Sequence, residues 1–327
     1  MKLHEIDAKT FNELSFAEPD TGIFQTSFYA DYMVTKGYRA SFLQCIDDAG
    51  ICQGLCLLLK KKESFFSKKY SAYVPHGYLI NYYDNDVLKG FHELLIDYLR
   101  KENVSRLFIE PPLKEEEKTL LSLLQDLGYQ KTEDLCQYEE SVASHVEGLH
   151  DTNIILKIER IEDTSAFASL SSGKKEDAEK LRLFECLQDH GICYAAKLDL
   201  EKSRRAIKES IEELEKFIDA NKDDYKFFSQ IKEKENEIDR LKGLGNAMRR
   251  YDDDPYVYAL CLSRFSDFCT ILFKMSGPQG DIFDAERQII DQICADCKNR
   301  GIISIGSSME FPYAGKVPYL GRFVLKI

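Results

Sequence analysis

The sequence predicts an α/β (α+β) protein built from two mixed units, with a long helical hairpin inserted in the second. Three observations support this prediction. Strand-like and helix-like segments alternate through the first half, a similar order of strands, helix and strand returns near the carboxyl end, and a narrow apolar seam of helical period lies between them. We expect a first domain at 1–148 and a second at 149–327, interrupted by a coiled-coil arm at about 200–250.

The first unit shows clear starts and stops of helices and strands. The stretch FYADYMVTKGY is amphipathic and predicts a helix that ends at Gly37, and the next stretch predicts two strands around a turn at 47–50. A later helix has Asp84 or Asn85 as its cap. SRLFIEPPL predicts a strand that two prolines stop, and a second helix ends before Gly128. Together these elements predict an α/β or α+β domain.

The predicted arm has an apolar residue at three- and four-residue steps on each of two helices. The seam consists of Leu200, Ile207, Ile211, Leu214 and Ile218 on the first helix, and Phe227, Ile231, Ile238 and Leu241 on the second. A polar loop, DANKDD, separates the two runs, so the pattern predicts an antiparallel hairpin. Because the seam is narrow, we expect the arm to project from the second domain and to be unnecessary for its core.

The stretch YVPHGYLINYYDND interrupts a tyrosine-rich strand with Pro75, His76 and Gly77. Two interpretations are open. Gly77 allows backbone dihedrals that are closed to other residues and Pro75 cannot donate a ladder hydrogen bond, which predicts a tight corner. Alternatively, the corner lets a substrate approach the backbone at Gly77, with His76 beside it.

The bulk composition bounds the function. With 327 residues and a hydrophobic fraction of 44% the chain can bury real cores, and its net charge of −12 argues against broad nucleic-acid affinity, leaving room only for a local basic patch. No run approaches the ~20 apolar residues of a membrane span, and the amino-terminal residues lack the apolar core of a secretion signal. We therefore expect a cytoplasmic protein.

Ten cysteines are scattered along the chain and are typical of buried, reduced thiols in a cytosolic protein. Cys294 and Cys297 form a C-x-x-C motif that could bind a metal or cycle between redox states. No second C-x-x-C or H-x-x-x-H accompanies it, and the surrounding segment has helical periodicity. We expect the two thiols to flank a buried face and expect no metal.

Several stretches taken together resemble the Fem family of bacterial aminoacyltransferases, and the match covers most of the chain. QTSFYADYMVTKGY resembles the opening helix of the family, and YVPHGYLINYYDNDVLKGFHELLIDYLRKENVSRLFIEPPL resembles its most recognisable block. LLQDLGYQK and ICYAAKLDLEK also fit. Members of this family add amino acids from aminoacyl-tRNA to the stem peptide of a peptidoglycan precursor.

The resemblance implies two acetyltransferase-like (GNAT-like) domains, an arm that contacts tRNA, and a role in forming the interpeptide bridge. Aminoacyl-tRNA would be the co-substrate and no further cofactor is expected. The acceptor would be lipid II or UDP-MurNAc-pentapeptide. Peripheral contact with the inner membrane face through lipid II, and contact with family homologues, are further expectations about partners.

The site residues implied by the resemblance depart from the family pattern at several positions. His76 stands where the family carries arginine. The family's phosphate-binding lysine corresponds to Met33 here, and Lys36 lies one turn later. Lys174 or Lys175 replaces an arginine of the family. We expect Lys36, His76, Gly77 and Lys175 to bind substrate.

The expected catalytic residues are Glu110, Arg322 and Phe323. Glu110 replaces an aspartate and could accept a proton, while Arg322, or Lys326, could place positive charge at the oxyanion or the tRNA end. Val324 stands where the family has a lysine.

These departures keep two alternatives open. The first is a catalytically weakened homologue that binds a precursor or a partner. The second is an acetyl-CoA-dependent N-acyltransferase, although the sequence lacks the arginine- or glutamine-led glycine loop that cradles a pyrophosphate in ordinary acetyltransferases.

Overall fold

The computed structural model of the chain describes residues 1–18, 21–111, 117–132, 139–142, 153–265, 268–277, 280, 283–299, 304–307 and 323–327. Its strands are β1 (Lys2–Ile6), β2 (Arg39–Ile46), β3 (Cys52–Lys62), β4 (Tyr70–Val74), β5 (Leu79–Ile80), β6 (Val104–Ile109), β7 (Gln130–Lys131), β8 (Glu139–Val142), β9 (Leu156–Ile161), β10 (Gly191–Leu198), β11 (Tyr256–Phe265), β12 (Phe268–Ser276), β13 (Ser304–Ser307) and β14 (Phe323–Lys326). Its α-helices are α1 (Ala8–Ser15), α2 (Ser27–Thr35), α3 (Asn85–Lys101), α4 (Lys118–Asp126), α5 (Ser165–Leu170), α6 (Lys175–Leu187), α7 (Leu200–Asn221), α8 (Phe228–Met248) and α9 (Ala285–Asn299).

The first sheet has the strand order β1-β2-β3-β4-β6-β14-β7, with β5 paired to β3. Strands β4 and β6 run parallel, and α3 connects them across one face of the sheet. Leucines of α3 and α4 pack on this face against inward residues such as Leu107 and Ile109. The other face packs on α1 and α2 over β3, through Leu55, Leu57 and Leu59. Helices therefore cover one face fully and the other only in part.

The second sheet has the strand order β8-β13-β12-β11-β10-β9. One face packs on α9 and the base of the helical hairpin. The opposite face packs on α5 and α6, and also on Ile23 and Phe24 from a one-turn helix that precedes α2. Because Ile23 and Phe24 come from the first half of the chain, the two halves share an apolar core. The prediction of a mixed α/β chain with two such units is confirmed.

The division between the sheets does not coincide with the predicted boundary at residue 148. Strand β8, which the prediction assigned to the first domain, pairs with β13 in the second sheet. Strand β14 from the end of the chain pairs with both β6 and β7 in the first sheet. Each sheet thus contains a strand from the other half of the chain, a long-range pairing that local sequence periodicity does not record.

The helical hairpin lies between β10 and β11 and consists of α7 and α8, as the apolar seam predicts. Its base, however, belongs to the apolar core between the second sheet and α9, which we call the second core. In this core, Ile207, Leu241, Leu244 and Met248 are buried with residues of β11 and α9. The expectation that the arm is unnecessary for the core is therefore wrong for this base. Only the distal part beyond about Ile211 has the narrow, half-buried seam of a projecting hairpin.

Local capping explains several element boundaries. The Asp84 carboxylate accepts hydrogen bonds from the backbone of Asp86 and Val87, which confirms it as the cap of α3. Gly37, with φ of 84°, ends the turn after α2. Among the described helices, none combines the length and the apolar character needed to span a bilayer.

Candidate active-site cleft between the two domains

A cleft of about 860 Å³ lies where α2 and the open part of the first sheet meet α6 and β12. Its floor comes from outward positions of the first sheet, including Ser71 and Tyr73 on β4 and Arg106 and Phe108 on β6. Tyr29, Tyr32 and Met33 of α2 form one wall, and Leu183 of α6 and Leu272 of β12 close the cleft from the second domain. A ligand in this space would contact both domains.

The cleft is cationic although the chain carries a net charge of −12. Its lining includes four basic residues, Lys36, Lys61, Lys62 and Arg106, and one acidic residue, Glu63. Lys326 of β14 is the cross-strand partner of Arg106 and so lies on the same face of the sheet. This concentration of positive charge favours an anionic ligand.

Lys36 caps the carboxyl end of α2 and points into the cleft. Its Nζ lies 4.6 Å from the centre of the Tyr32 ring and 3.1 Å from Oε2 of Glu179 on α6. Burial alone would lower the pKa of Lys36, but the interactions with Tyr32 and Glu179 outweigh it and raise the pKa above its ordinary value. Lys36 is therefore a permanent cation that bridges the two domains.

Lys175 is exposed at the start of α6, and its Nζ lies 3.9 Å from Oε1 of the same Glu179. The structure therefore brings together two residues that the sequence predicted to bind substrate, although they come from different domains. Hydrogen bonding and the charge of Lys36 lower the pKa of Glu179, so that the carboxylate stays ionised between the two ammonium groups. Of these three residues only Lys36 is among the described residues that line the cleft.

Glu110 follows β6 at the end of the sheet and is only 2% exposed. The Tyr73 hydroxyl donates a hydrogen bond of 2.5 Å to its Oε2. Since Tyr73 lines the cleft and Glu110 does not, the phenol connects a buried carboxylate to the ligand space. Glu110 thus lies in a position from which it can exchange a proton with the cleft through one hydroxyl group.

The Pro-His-Gly stretch is a tight corner in which two consecutive residues have positive φ, 58° at His76 and 69° at Gly77. Gln25, fully buried, holds the corner: its Nε2 donates to the Pro75 carbonyl at 2.6 Å and its Oε1 accepts from the Leu57 amide at 2.7 Å. Burial lowers the pKa of His76 to about 4, so the imidazole is neutral at physiological pH.

The corner contacts the cleft only indirectly. The His76 ring lies 5.9 Å from the ring of Phe24, and Phe24 and Tyr73 line the cleft beside the corner. Neither His76 nor Gly77 is among the described residues that line it. The tight-corner interpretation accounts for the backbone, and substrate binding by these two residues stays a prediction.

The carboxyl-terminal strand places its residues on alternate faces. Phe323 pairs with Ile109, and its side chain is fully buried in the apolar core between the first sheet and the helices α3 and α4. Only its backbone can therefore face a ligand. Val324 pairs with Phe108 and therefore lies on the cleft side of the sheet. Arg322, the third predicted catalytic residue, lies outside the described residues.

The C-x-x-C motif lies on α9, as its helical period predicts. Cys297 is buried in the second core, and burial raises the pKa of Cys294 to about 11, so neither thiol has the character of a reactive thiolate. Across the described part of the chain, no group of three or more histidine, cysteine or carboxylate residues has an arrangement that could hold a metal ion.

Three residues that shape the site were not predicted from the sequence: Gln25, Tyr73 and Glu179. Gln25 and Tyr73 lie within the stretches that carry the family resemblance. A glutamine before a helix gives only a weak signal that it holds a corner, and a tyrosine two residues before a proline gives only a weak signal that it contacts a carboxylate. Glu179 looks like an ordinary surface charge on a helix, and only the packing of α2 on α6 reveals its partner.

The two sheets with their flanking helices and the cleft between them define a tandem GNAT-like fold. The crystal structure of FemX superposes with a TM-score of 0.70 at 14% identity, covering 100% of this chain and 98% of that chain. A tandem GNAT protein from the clavulanic acid biosynthesis pathway, solved without AcCoA, gives a TM-score of 0.53 at 6% identity, covering 99% of this chain and 98% of that chain.

At these identities the likeness shows the fold. The expected tandem GNAT-like architecture is confirmed, and the resemblance to the Fem family is confirmed as a likeness of fold over the whole chain. The sequence matches no protein-family model and no curated protein.

Proposed function

We propose that the protein transfers an amino acid from aminoacyl-tRNA to the stem peptide of a peptidoglycan precursor. The observation that carries the proposal is the cationic cleft between the two domains, with Lys36 and Lys175 on a single carboxylate. The FemX-like fold of the whole chain and the motifs quoted above support the same reaction class.

The precursor carries a diphosphate, which suits this cationic site. In the described structure Glu179 neutralises Lys36 and Lys175. A diphosphate would compete with Glu179 for the two ammonium groups and would gain charge-assisted hydrogen bonds from both domains. Binding of the precursor would in this way replace an internal ion pair by a ligand contact, and the stem peptide would extend over the floor of the cleft toward Tyr73.

The chemistry requires alignment of an amine with an activated ester and removal of one proton. The acceptor amine attacks the ester carbonyl, forming a carbon–nitrogen bond and a tetrahedral oxyanion. The nitrogen gives its proton to the Tyr73 hydroxyl as that hydroxyl passes its own proton to Glu110. Collapse of the intermediate expels the ribose oxygen, which takes the proton back through the same route, leaving an amide and a free tRNA end.

The test is to incubate the protein with a set of charged tRNAs and either UDP-MurNAc-pentapeptide or lipid II, and to measure the mass of the muropeptide. The expected product is heavier by one amino-acid residue, and ribonuclease treatment of the tRNA should abolish it. If no charged tRNA gives product while an active Fem enzyme does so in parallel, the transfer reaction is excluded under those conditions.

The second candidate is a homologue that binds the precursor with weakened catalysis. Val324 favours it, because this residue lies on the cleft side of β14 where the family has a lysine. Precursor binding by calorimetry without any product, and product once Val324→Lys is introduced, would support this candidate. An acetylated muropeptide formed from acetyl-CoA in a third arm of the assay would instead identify an N-acetyltransferase.

A further inference from the structure

The loop between β3 and β4, at 63–69, exposes the two most solvent-accessible large apolar side chains in the described part of the chain. Phe65 is 87% exposed and Phe66 is 93% exposed, and the two rings make a T-shaped contact with each other at 5.2 Å. Leaving two phenylalanines in water is unfavourable, and a surface that receives them would gain the burial of both rings.

The backbone of the loop holds the two rings at its tip. The Glu63 amide donates to the Lys69 carbonyl, and the Ser67 amide donates to the Ser64 carbonyl, both at 3.2 Å. Glu63, the acidic residue of the loop, is anchored to Ser105 and Arg106 of β6. The hydrogen bond from Ser105 and the charge of Arg106 lower the pKa of Glu63, so the carboxylate is ionised and neutralised locally.

Lysines surround the phenylalanine pair on both sides in the sequence. Lys61, Lys62, Lys68 and Lys69 are all exposed, and none of them forms an ion pair with an acidic side chain of the described residues. Lys60 differs, because it is buried and pairs with Glu102 at 2.8 Å. The loop thus has an apolar tip with two lysines on each side of it in the sequence, in a chain whose net charge is −12.

We propose that this loop, which we call the phenylalanine loop (residues 61–69), docks the protein on the surface of a bilayer that contains anionic phospholipid. The rings would enter the boundary between headgroups and acyl chains, and the lysines would contact the negative headgroups. A protein partner fits less well, because a specific protein interface needs on the order of 1,000 Å² of complementary surface and the neighbours of this pair are lysines.

The phenylalanine loop adjoins the cleft, since Lys61, Lys62 and Glu63 also line it. Docking would therefore bring the mouth of the cleft to the bilayer surface, where a substrate with a lipid anchor would present its polar head. Docking itself requires no substrate and does not depend on the proposed transfer reaction.

Flotation with vesicles tests the proposal. The protein should float with vesicles of equal parts phosphatidylglycerol and phosphatidylcholine and not with phosphatidylcholine alone, and added salt should weaken binding. Phe65→Ser combined with Phe66→Ser should lower the bound fraction at least about tenfold, without changing the melting temperature. The matched control is Tyr225→Ser with Phe228→Ser at the tip of the arm, where the rings are 84% and 73% exposed. This control should bind as the unmodified protein does.

A spectroscopic version uses the absence of tryptophan from the sequence. Phe66→Trp introduces a single indole, whose emission should shift to the blue on addition of the anionic vesicles, while Phe228→Trp should give no shift. An unchanged Phe66→Trp spectrum, equal binding to neutral vesicles, or an equal loss of binding in the arm-tip control would overturn the proposal. So would an oligomer of the unmodified protein that the Phe65→Ser/Phe66→Ser variant dissociates, because the pair would then belong to a protein interface.

Discussion

The two sheets differ in how completely their faces are covered. In the second sheet, α9 and the base of the hairpin cover one face, and α5 and α6 cover the other. In the first sheet, α3 and α4 cover one face, but α1 and α2 cover the other mainly over β2 and β3. The uncovered part, over β4 and β6, is the floor of the cleft.

The sequence of each strand reflects this difference. On β6, Leu107 and Ile109 face the core and are buried, while Arg106 and Phe108 face the cleft and keep part of their surface accessible. On β12, by contrast, Cys269 and Ile271 face one core while Leu272 and Phe273 belong to the other, and both faces are largely apolar. The first sheet therefore leaves room for a ligand over β4 and β6, where no helix of the described chain covers the outward side chains.

The largest effect is expected at the buried carboxylate below the open face. Glu110→Gln keeps the volume and the hydrogen bond from Tyr73 but removes the proton acceptor, so transfer should fall by roughly 10²–10⁴-fold with precursor binding unchanged. The matched control is Glu159→Gln in the second sheet, because Glu159 also accepts a hydrogen bond from a tyrosine, at 3.4 Å from Tyr256. Equal rates for the two variants would show that Glu110 is structural.

A smaller effect, on stability, is expected where the hairpin closes the second sheet. Leu241 is fully buried in the second core, and Leu241→Ala should lower the free energy of unfolding by about 2–5 kcal/mol. Replacing residues 215–234 by a short glycine-serine turn should leave stability in urea nearly unchanged, because none of the residues that pack in the second core lies in this segment. Loss of cooperative unfolding in the shortened protein would contradict this division of the arm.

A third effect concerns the ion pairs that cross the cleft. Lys36→Ala should weaken binding of UDP-MurNAc-pentapeptide by about 1.5–3 kcal/mol in calorimetry, because it removes a charge-assisted contact. Lys9→Ala, which affects an exposed pair with Glu13, is the control and should have no effect. Glu179→Gln should act in the opposite direction and strengthen binding a few-fold. Weaker binding by Glu179→Gln would mean that this carboxylate orients the lysines.

The smallest effect is a pH dependence at the corner. The pKa of His76 is about 4 in the folded protein against an ordinary 6.5, so the unfolded chain binds a proton in this interval that the folded chain does not. The corresponding stability is fully present above pH 6.5 and is lost as the pH falls toward 4. His92, whose pKa burial also lowers to about 4, contributes in the same direction.

The variant His76→Asn isolates this contribution, because asparagine tolerates positive φ and does not titrate. It should recover part of the stability that the unmodified protein loses between neutral pH and pH 4 in urea titrations. An unchanged pH profile would assign the acid sensitivity to other groups.

Much of the fold could be predicted from the sequence, because it depends on local signals. The cap at Asp84, the stop at Gly37 and the apolar seam of α7 and α8 follow from capping, turn and period rules. The pairing of β8 in the second sheet and of β14 in the first could not be predicted, since pairing between distant strands leaves no periodic pattern in either strand. The burial of Leu244 and Met248 is likewise a property of the sheet beneath the hairpin.

The candidate site, like the fold, could be predicted from the sequence only in part. The family resemblance placed Lys36, Lys175 and Glu110 among the candidates, and the structure then added their partners, Glu179 and Tyr73. Charge pairs between helices that are far apart in the sequence depend on how the domains pack. The Pro75 corner could be predicted from its proline and glycine, but positive φ at His76 could not, because only a few per cent of residues other than glycine take that conformation.

The return of β14 to the first sheet sets the order in which the protein can mature on the ribosome. This strand lies between β6 and β7, yet it is synthesised only after the described strands of the second sheet. Until it emerges, β6 and β7 have a gap between them and expose unpaired backbone groups, as any open sheet edge does. Completion of the first domain therefore waits until the described strands of the second sheet have been synthesised, which raises its contact order, and a fragment that ends at residue 148 would lack the strand that joins β6 to β7.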